Sequence, residues 1–254
     1  MRLSLDDAAW SSPWRHRSTA EKSLLCLGLL LVAATTTTPV VAIVVGVVVI
    51  ALTLAAARVP VRTWAAAMVG PLAFVALGAL TIAVTLGPAR PGDLLRWGWI
   101  GVDADGLALA GLVASRALAA TAAMVLLAAT TPVTDILSGL RRAGVPEVAV
   151  DVAALTYRSI FALLEAASAI RAAQAGRLGY ASGRAARRSV GQLAAAVLVS
   201  AWDRARRLDE GLTGRGGVAA APLTAARPVS VPFVAVSAVL VVGLAGLSVV
   251  GGLR

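Results

Sequence analysis

The chain has 254 residues, of which 59% are hydrophobic and 14% charged, with a mean hydropathy of +0.85. Soluble globular chains are closer to half apolar and a quarter charged. This composition excludes an ordinary soluble domain and predicts an all-α, polytopic membrane protein. The net charge of +10 could suit nucleic acid, but the arginines are not interleaved with aromatic residues, so we predict no nucleic-acid partner. The single cysteine, Cys26, excludes an internal disulfide framework and a cysteine-cluster metal site.

Apolar stretches predict about five transmembrane helices, over residues 23–34, 40–57, 64–86, 106–130 and 231–250. The first is short for a bilayer, which needs about 20 residues, so residues 23–57 could instead form one kinked span. Residues 87–105 are of mixed polarity, and Trp97 and Trp99 favour a chain that lies among the lipid headgroups.

The longest polar stretch separates the fourth and fifth predicted spans. A break at Thr131-Pro132 precedes a short helix, and two longer helices are predicted over residues 147–174 and 185–212. We therefore predict three parts: a tail with spans 1–4 (residues 1–130), a helical domain inserted before the last span (131–228), and the last span (229–254).

Basic residues predict the orientation of the chain. With the N-terminus inside the cell, the inner segments carry four, two and thirteen basic residues, whereas the outer ones carry only Arg90, Arg96 and Arg254. Cytoplasmic loops are enriched in lysine and arginine. We therefore expect a multi-pass protein of the cell membrane, with its N-terminus and the inserted domain in the cytoplasm and the lipid bilayer as a partner.

Two arginines of the inserted domain stand between small residues at predicted helix ends, in Gly176-Arg177-Leu178-Gly179 and Gly214-Arg215-Gly216-Gly217. Glycine permits a left-handed helix end and a close backbone approach. A guanidinium can make two-pronged contacts with a carboxylate or a carbonyl. We predict a device that docks into a groove on another protein, formed by Arg177, Gly179, Gly214, Arg215 and Gly216. The alternative is that these arginines only set topology or meet anionic lipid.

Arg116 lies inside the fourth predicted span. An ionisable residue there is costly, so it should pair with an acidic residue of this chain or a partner, or else extend to the membrane surface. Asp135 and Glu147 are interpreted as capping or solvated charges. The phosphate-loop pattern G-x-x-x-x-G-K-[ST] is absent, as is any Ser–His pairing. We therefore predict no catalytic residue, no cofactor bound by this chain and no metal site.

Three segments support a family assignment: Asp135-Ile136-Leu137, Leu140-Arg141-Arg142-Ala143-Gly144-Val145-Pro146, and Leu155-Thr156-Tyr157-Arg158-Ser159-Ile160-Phe161. With the two arginine motifs they resemble, in order, the transmembrane (T) component of energy-coupling factor (ECF) transporters. That family has two Ala-Arg-Gly-type motifs; here Leu178 separates the first arginine from its glycine, and Gly214 replaces an alanine. The opening Ser12-Pro13-Trp14 with Glu21-Lys22 is similar to the cobalt-type branch.

The resemblance implies a non-catalytic subunit that joins two ABC-type ATPase subunits to a substrate-binding membrane (S) subunit. The ATPases would hydrolyse ATP and receive Arg177 and Arg215. A coupling scaffold would pass the resulting motion to the S subunit, and it includes Tyr157, Arg158, Arg204 and Arg207. The N-terminal resemblance favours cobalt, while nickel or a vitamin stays open.

The residues alone leave other functions to be weighed. One is a membrane scaffold whose basic segment binds anionic lipid or RNA. A complete secondary transporter is disfavoured, because five spans show no pair of similar halves.

Overall fold

The structure is a computed structural model that describes residues 4–86, 93–97, 100–214 and 227–252. The helices within those ranges are α1 Ser4–Ser11, α2 Thr19–Thr35, α3 Pro39–Ala51, α4 Val61–Ala83, α5 Ala104–Thr130, α6 Val133–Arg142, α7 Glu147–Gly176, α8 Gly183–Thr213 and α9 Val231–Gly252. Three strands, β1 Val84–Leu86, β2 Asp93–Trp97 and β3 Ile100–Asp103, form a small sheet. The described chain divides into a membrane unit, residues 4–136 and 227–252, and an inserted unit, residues 137–214.

Four helices of the described chain are long and apolar enough to cross a membrane: Pro39–Ala56, Val61–Ala83, Ala104–Thr130 and Val231–Gly251. They confirm a polytopic, all-α membrane protein. The other predicted span corresponds to α2, whose 17 residues rise about 26 Å, slightly less than the ~30 Å of a hydrocarbon core. The alternative of one kinked span over residues 23–57 is wrong, because Pro39–Ala56 is long and apolar enough to cross a membrane by itself and α2 packs against α3.

Thr38 and Pro39 explain the separation of α2 from α3. Thr38 is extended, with φ −118° and ψ 135°, and Pro39 is the first residue of α3. Proline disfavours the helical region for the residue before it but fits the first turn of a new helix. The chain therefore ends one helix and starts another at this dipeptide.

Residues 84–103 contain an antiparallel sheet that the sequence analysis did not predict. β3 is the central strand, with Gly101 opposite Thr85 of β1 and opposite Arg96 of β2. The hydroxyl of Thr85 donates a hydrogen bond to Gly101 O at 3.2 Å. Each strand has only three to five residues. Such short strands give too few alternating apolar and polar positions to be predicted from sequence. Trp99 lies outside the described residues.

α5 is the central helix of the membrane unit and packs against α2, α3 and α4. Its buried face is made largely of small residues, including Ala119, Ala122, Ala123 and Ala129, which let membrane helices approach one another closely. A similar approach joins α2 to α9, where a Cβ atom on Gly28 would lie 2.9 Å from Val241 Cγ2. Small residues at these contacts therefore set the spacing of the helices.

α7 and α8 form a helical hairpin in the inserted unit, and they pack against each other on either side of a short turn. The predicted helices, 147–174 and 185–212, agree with the observed ones to within two residues at each end. The hairpin carries the first of the two predicted docking motifs at its turn.

Candidate functional site

The α7–α8 turn presents the exposed side chain of Arg177. Behind it, the N–H of Leu178 donates to Ala175 O at 3.1 Å and the N–H of Gly179 donates to Gln174 O at 2.8 Å. These two bonds define a Schellman helix end. The left-handed residue is Leu178, with φ +58°. The prediction that a glycine supplies this conformation is therefore wrong.

Side-chain hydrogen bonds hold the turn in place. Gln174 Nε2 donates to Ser189 O at 3.1 Å, and the hydroxyl of Tyr180 donates to Gln174 Oε1 at 2.9 Å. The hydroxyl of Ser189 donates to Gly179 O at 2.8 Å. A Cβ atom on Gly179 would lie 2.7 Å from Ser189 Oγ and 2.8 Å from Gln174 O. Glycine is therefore required at this position, and side-chain hydrogen bonds join α7, the turn and α8.

The second predicted docking motif is described only at its first residue. Gly214 ends α8 in a right-handed conformation, with φ −67°. A Cβ atom there would meet Glu210 O at 3.5 Å, an ordinary contact, so neither space nor conformation requires glycine. Arg215 and Gly216 lie outside the described residues, and their docking role stays a prediction.

A cleft of about 890 Å³ lies between α7 and α8, and Arg158, Arg204 and Arg207 line it. Its other walls are largely apolar and include Leu155, Leu163, Ala201, Ala205 and Leu208. Among the described residues, none of the three guanidinium groups has an ion pair or a hydrogen bond. The cleft therefore combines apolar walls with uncompensated positive charge.

Tyr157, the fourth predicted scaffold residue, does not line this cleft. Its ring packs edge-to-face against Phe161, with ring centroids 5.0 Å apart. The structure thus brings the three predicted scaffold arginines together and places Tyr157 elsewhere on α7.

A buried charged cluster in the membrane unit was missed by the sequence analysis. Glu21, Lys22 and Asp135 are at most 3% exposed. Lys22 Nζ donates to Thr130 O at 2.9 Å, and Arg227 Nη1 lies 2.7 Å from Asp135 Oδ2. The interpretation of Asp135 as a solvated charge is wrong, because its carboxylate is buried and pairs with Arg227, as a buried charge requires. One feature of the sequence could have indicated this cluster: Glu21 and Lys22 directly precede an apolar run, where a charged side chain is costly unless it has a partner.

Glu21 completes the cluster. Its Oε1 accepts a hydrogen bond from the backbone N–H of Ser230, just before α9 begins. Two carboxylates and two cations, from Glu21, Lys22, Asp135 and Arg227, leave the cluster formally neutral. The start of α2, the start of α6 and the approach to α9 therefore share one polar anchor.

Arg116 lies near the middle of α5 and is half-buried. Its Nη2 donates a hydrogen bond to the carbonyl oxygen of Thr36, the C-cap residue that directly follows α2. The last carbonyls of a helix lack partners within the helix, and cations are favourable there. Among the described residues, Arg116 therefore contacts the end of a helix and forms no ion pair with an acidic residue of this chain; an acidic partner on another subunit and extension to the membrane surface stay predictions.

The fold and the site together define a polytopic helical membrane protein with an arginine-tipped hairpin inserted before its last span. Residues 11–223 match the family of the cobalt transport protein CbiQ. The chain belongs to that family, as the ordered motifs of the sequence predicted.

Curated relatives agree with this assignment. The chain is 42% identical to the cobalt transport protein CbiQ of Rhodobacter capsulatus over 231 residues, 91% of each chain. It is 29% identical to the cobalt transport protein CbiQ of Salmonella typhimurium over 196 residues, 75% of this chain and 86% of that one. A fused cobalt transport protein CbiMQ of Methanocorpusculum labreanum is 31% identical over 205 residues, 79% of this chain and 34% of the fused protein.

Proposed function

We propose that this chain is the transmembrane coupling subunit of an ATP-driven importer of the ECF type, and that the importer takes up cobalt. In this role it joins two ABC-type ATPase subunits to a substrate-binding membrane (S) subunit. The ATPases hydrolyse ATP and the S subunit holds the ion, so the chain itself is not an enzyme. Membership of the cobalt transport family supports cobalt as the substrate of the importer. The fused relative, in which the matched region is 34% of the length, supports a further component in the same transport system.

The observation that carries the proposal is the hydrogen-bonded turn that presents Arg177. The hydrogen bonds of Gln174 and Ser189 hold this turn between two helices of 30 and 31 residues. A contact held by stiff elements transmits a displacement instead of absorbing it. The hairpin therefore suits a lever whose tip sits in a groove of an ATPase subunit.

The other end of such a lever needs a fixed base. Asp135 immediately precedes Ile136, the last residue of the membrane unit before the inserted unit begins, and Arg227 follows the inserted unit. Their ion pair at 2.7 Å holds together the two points at which the chain leaves and re-enters the membrane unit. Force that reaches either point would therefore act directly on the membrane unit.

We assign the arginine-lined cleft and the adjoining apolar face to the S subunit. Val148 and Val152 on α7 are 74% and 58% exposed, and Trp202 on α8 is 68% exposed. Apolar side chains exposed beside a cationic cleft indicate a surface that a partner covers. In the proposed mechanism, nucleotide-driven closure of the ATPases moves the tip, and this face transmits the motion to the S subunit.

The proposal requires the inserted unit to face the cytoplasm, as the arginine excess predicts. A cysteine introduced at the exposed Ala181 should react with a membrane-impermeant maleimide in inside-out vesicles and not in intact cells. Native Cys26 is buried and provides the background measurement. Labelling of the new cysteine in intact cells would refute the orientation and the coupling role with it.

Charge reversal tests the docking role. We expect R177E and R215E each to weaken copurification with the two ATPase subunits, and the double variant to abolish both copurification and cobalt uptake. R206E is the matched control, because Arg206 is 68% exposed on α8 and does not line the arginine cleft. Normal assembly of the double variant would contradict the proposal. The alternative function is a membrane scaffold whose basic segment binds RNA or anionic lipid. That alternative would be supported if the chain bound either one without an ATPase and if this binding weakened steeply with salt.

A further inference from the structure

Leu178 combines two unfavourable features at the tip of the α7–α8 hairpin. It adopts the left-handed conformation, with φ +58°, which glycine or asparagine reaches with much less strain. Its side chain is also 75% exposed. Strained residues persist where the surrounding structure holds them, and they cluster at functional sites. An apolar side chain held outward in this way is suited to a contact outside the chain.

We propose that Leu178 is the apolar anchor of the docking tip, the part of the α7–α8 turn formed by Arg177, Leu178 and Gly179. Its side chain fills a pocket on an ATPase subunit, and the neighbouring Arg177 pairs with a carboxylate at the rim of that pocket. This inference rests on the proposed function and adds the residue that gives the contact most of its binding energy. Interfaces commonly depend on one or two buried anchors surrounded by weaker polar contacts.

The charge around Leu178 identifies the chemistry of the partner surface. Residues 166–202 contain no aspartate or glutamate and carry five arginines, Arg171, Arg177, Arg184, Arg187 and Arg188. All five are exposed. Complementary charge steers association and selects the partner, so the pocket that receives Leu178 lies on an acidic surface.

The rigidity of the turn favours a protein pocket over a membrane surface. The bonds from Gln174 to Ser189 and from Ser189 to Gly179 fix the direction in which Leu178 projects. A fluid bilayer does not require a fixed direction, whereas a shaped pocket gains affinity from a preorganised partner. A single leucine would also add little membrane affinity.

Substitutions at Leu178 should change stability and binding in opposite directions. L178G and L178N relieve the strained conformation, so we expect the detergent-solubilised chain to unfold about 2–4 °C higher. The same variants remove the anchor. Binding to the separately purified ATPase subunits of the same transport system should become about tenfold to hundredfold weaker, because a buried leucine contributes that much. L178M is the control and should stay near wild type in both measurements, since it keeps the apolar volume.

R177E separates this inference from the proposed function. Suppose that R177E loses binding to the ATPase subunits while L178G and L178N bind them at wild-type strength. Leu178 is then not the anchor, but the proposed docking to the ATPase subunits is retained. If all three variants bind normally, both are wrong. If L178G weakens only the binding of phosphatidylglycerol to the detergent-solubilised chain, Leu178 contacts lipid and the inference is overturned.

Discussion

The guanidinium of Arg227 lies 2.7 Å from the carboxylate of Asp135, although the two residues are 92 positions apart in the chain. The same Nη1 atom also donates to the carbonyl oxygens of Arg15 and Arg17. One side chain therefore joins the N-terminal segment to the two parts of the membrane unit that precede and follow the inserted unit in the chain. Because Asp135 is only 3% exposed, little solvent is available to replace this partner.

Replacing Arg227 with methionine should strongly destabilise the membrane unit. The change leaves the buried carboxylate of Asp135 without its guanidinium, which costs about 3–5 kcal/mol in comparable ion pairs. The midpoint of thermal unfolding in detergent would measure the loss. R206M should cost less than about 1 kcal/mol, because the ion pair of Arg206 is exposed and long, at 3.8 Å.

The double variant D135L/R227M is the informative companion of R227M. It removes both charges, so no buried ion is left without a partner, and it should recover most of the lost stability. If the double variant were as unstable as R227M, the ion pair would not explain the loss.

Lys22 should be needed to keep the buried cluster neutral. K22M removes one of two cations and the hydrogen bond to Thr130 O, so we expect a loss of about 3 kcal/mol in the free energy of unfolding. E21Q/K22M removes one charge of each sign, and the amide oxygen introduced at position 21 could still accept the bond from Ser230. The double variant should therefore unfold at a higher temperature than K22M alone; a lower midpoint would show that neutrality does not matter here.

The apolar helices could be predicted from sequence because long hydrophobic runs carry their own signal. α7 and α8 were found to within two residues, since apolar periodicity and flanking glycines and prolines mark such helices. The cluster around Lys22 and Asp135 could not be predicted in the same way. Its members lie up to 206 positions apart between Glu21 and Arg227, and only the packing of α2 against α5 and α9 brings them together.

The docking tip shows a different limit of prediction from sequence. The sequence identified Arg177 and Gly179 by their neighbours, but it assigned the left-handed conformation to a glycine. Leu178 adopts it instead, because the Schellman bonds require that conformation two residues after Gly176. Local preference favours glycine there, and the hydrogen bonds of the hairpin override it.

Gly28 should be required for the contact between α2 and α9. In G28A the new Cβ atom would lie 2.9 Å and 3.0 Å from the two γ carbons of Val241, and valine has few rotamers with which to avoid it. We expect a loss of about 1–3 kcal/mol, typical of overpacking, measured by thermal unfolding in detergent.

Two further variants make that prediction specific. G28A/V241A opens the space and should be more stable than expected from the two single changes. G78A is the matched control in α4, where nothing lies within 4 Å of the new atom; it should be neutral or stabilise by up to about 1 kcal/mol. An equal loss in G28A and G78A would show that helix packing is not the cause.

Gly179 should determine whether the docking tip keeps its shape. In G179A the new Cβ atom would lie 2.7 Å from Ser189 Oγ and 2.8 Å from Gln174 O, so the turn must open and lose its hydrogen bonds. We expect faster amide exchange at the turn and weaker binding of the ATPase subunits. G183A, with open space around the new atom, should leave both unchanged. S189A relieves only the hydroxyl contact, so G179A/S189A should recover part of the protection; full recovery would exclude the clash with the backbone of Gln174.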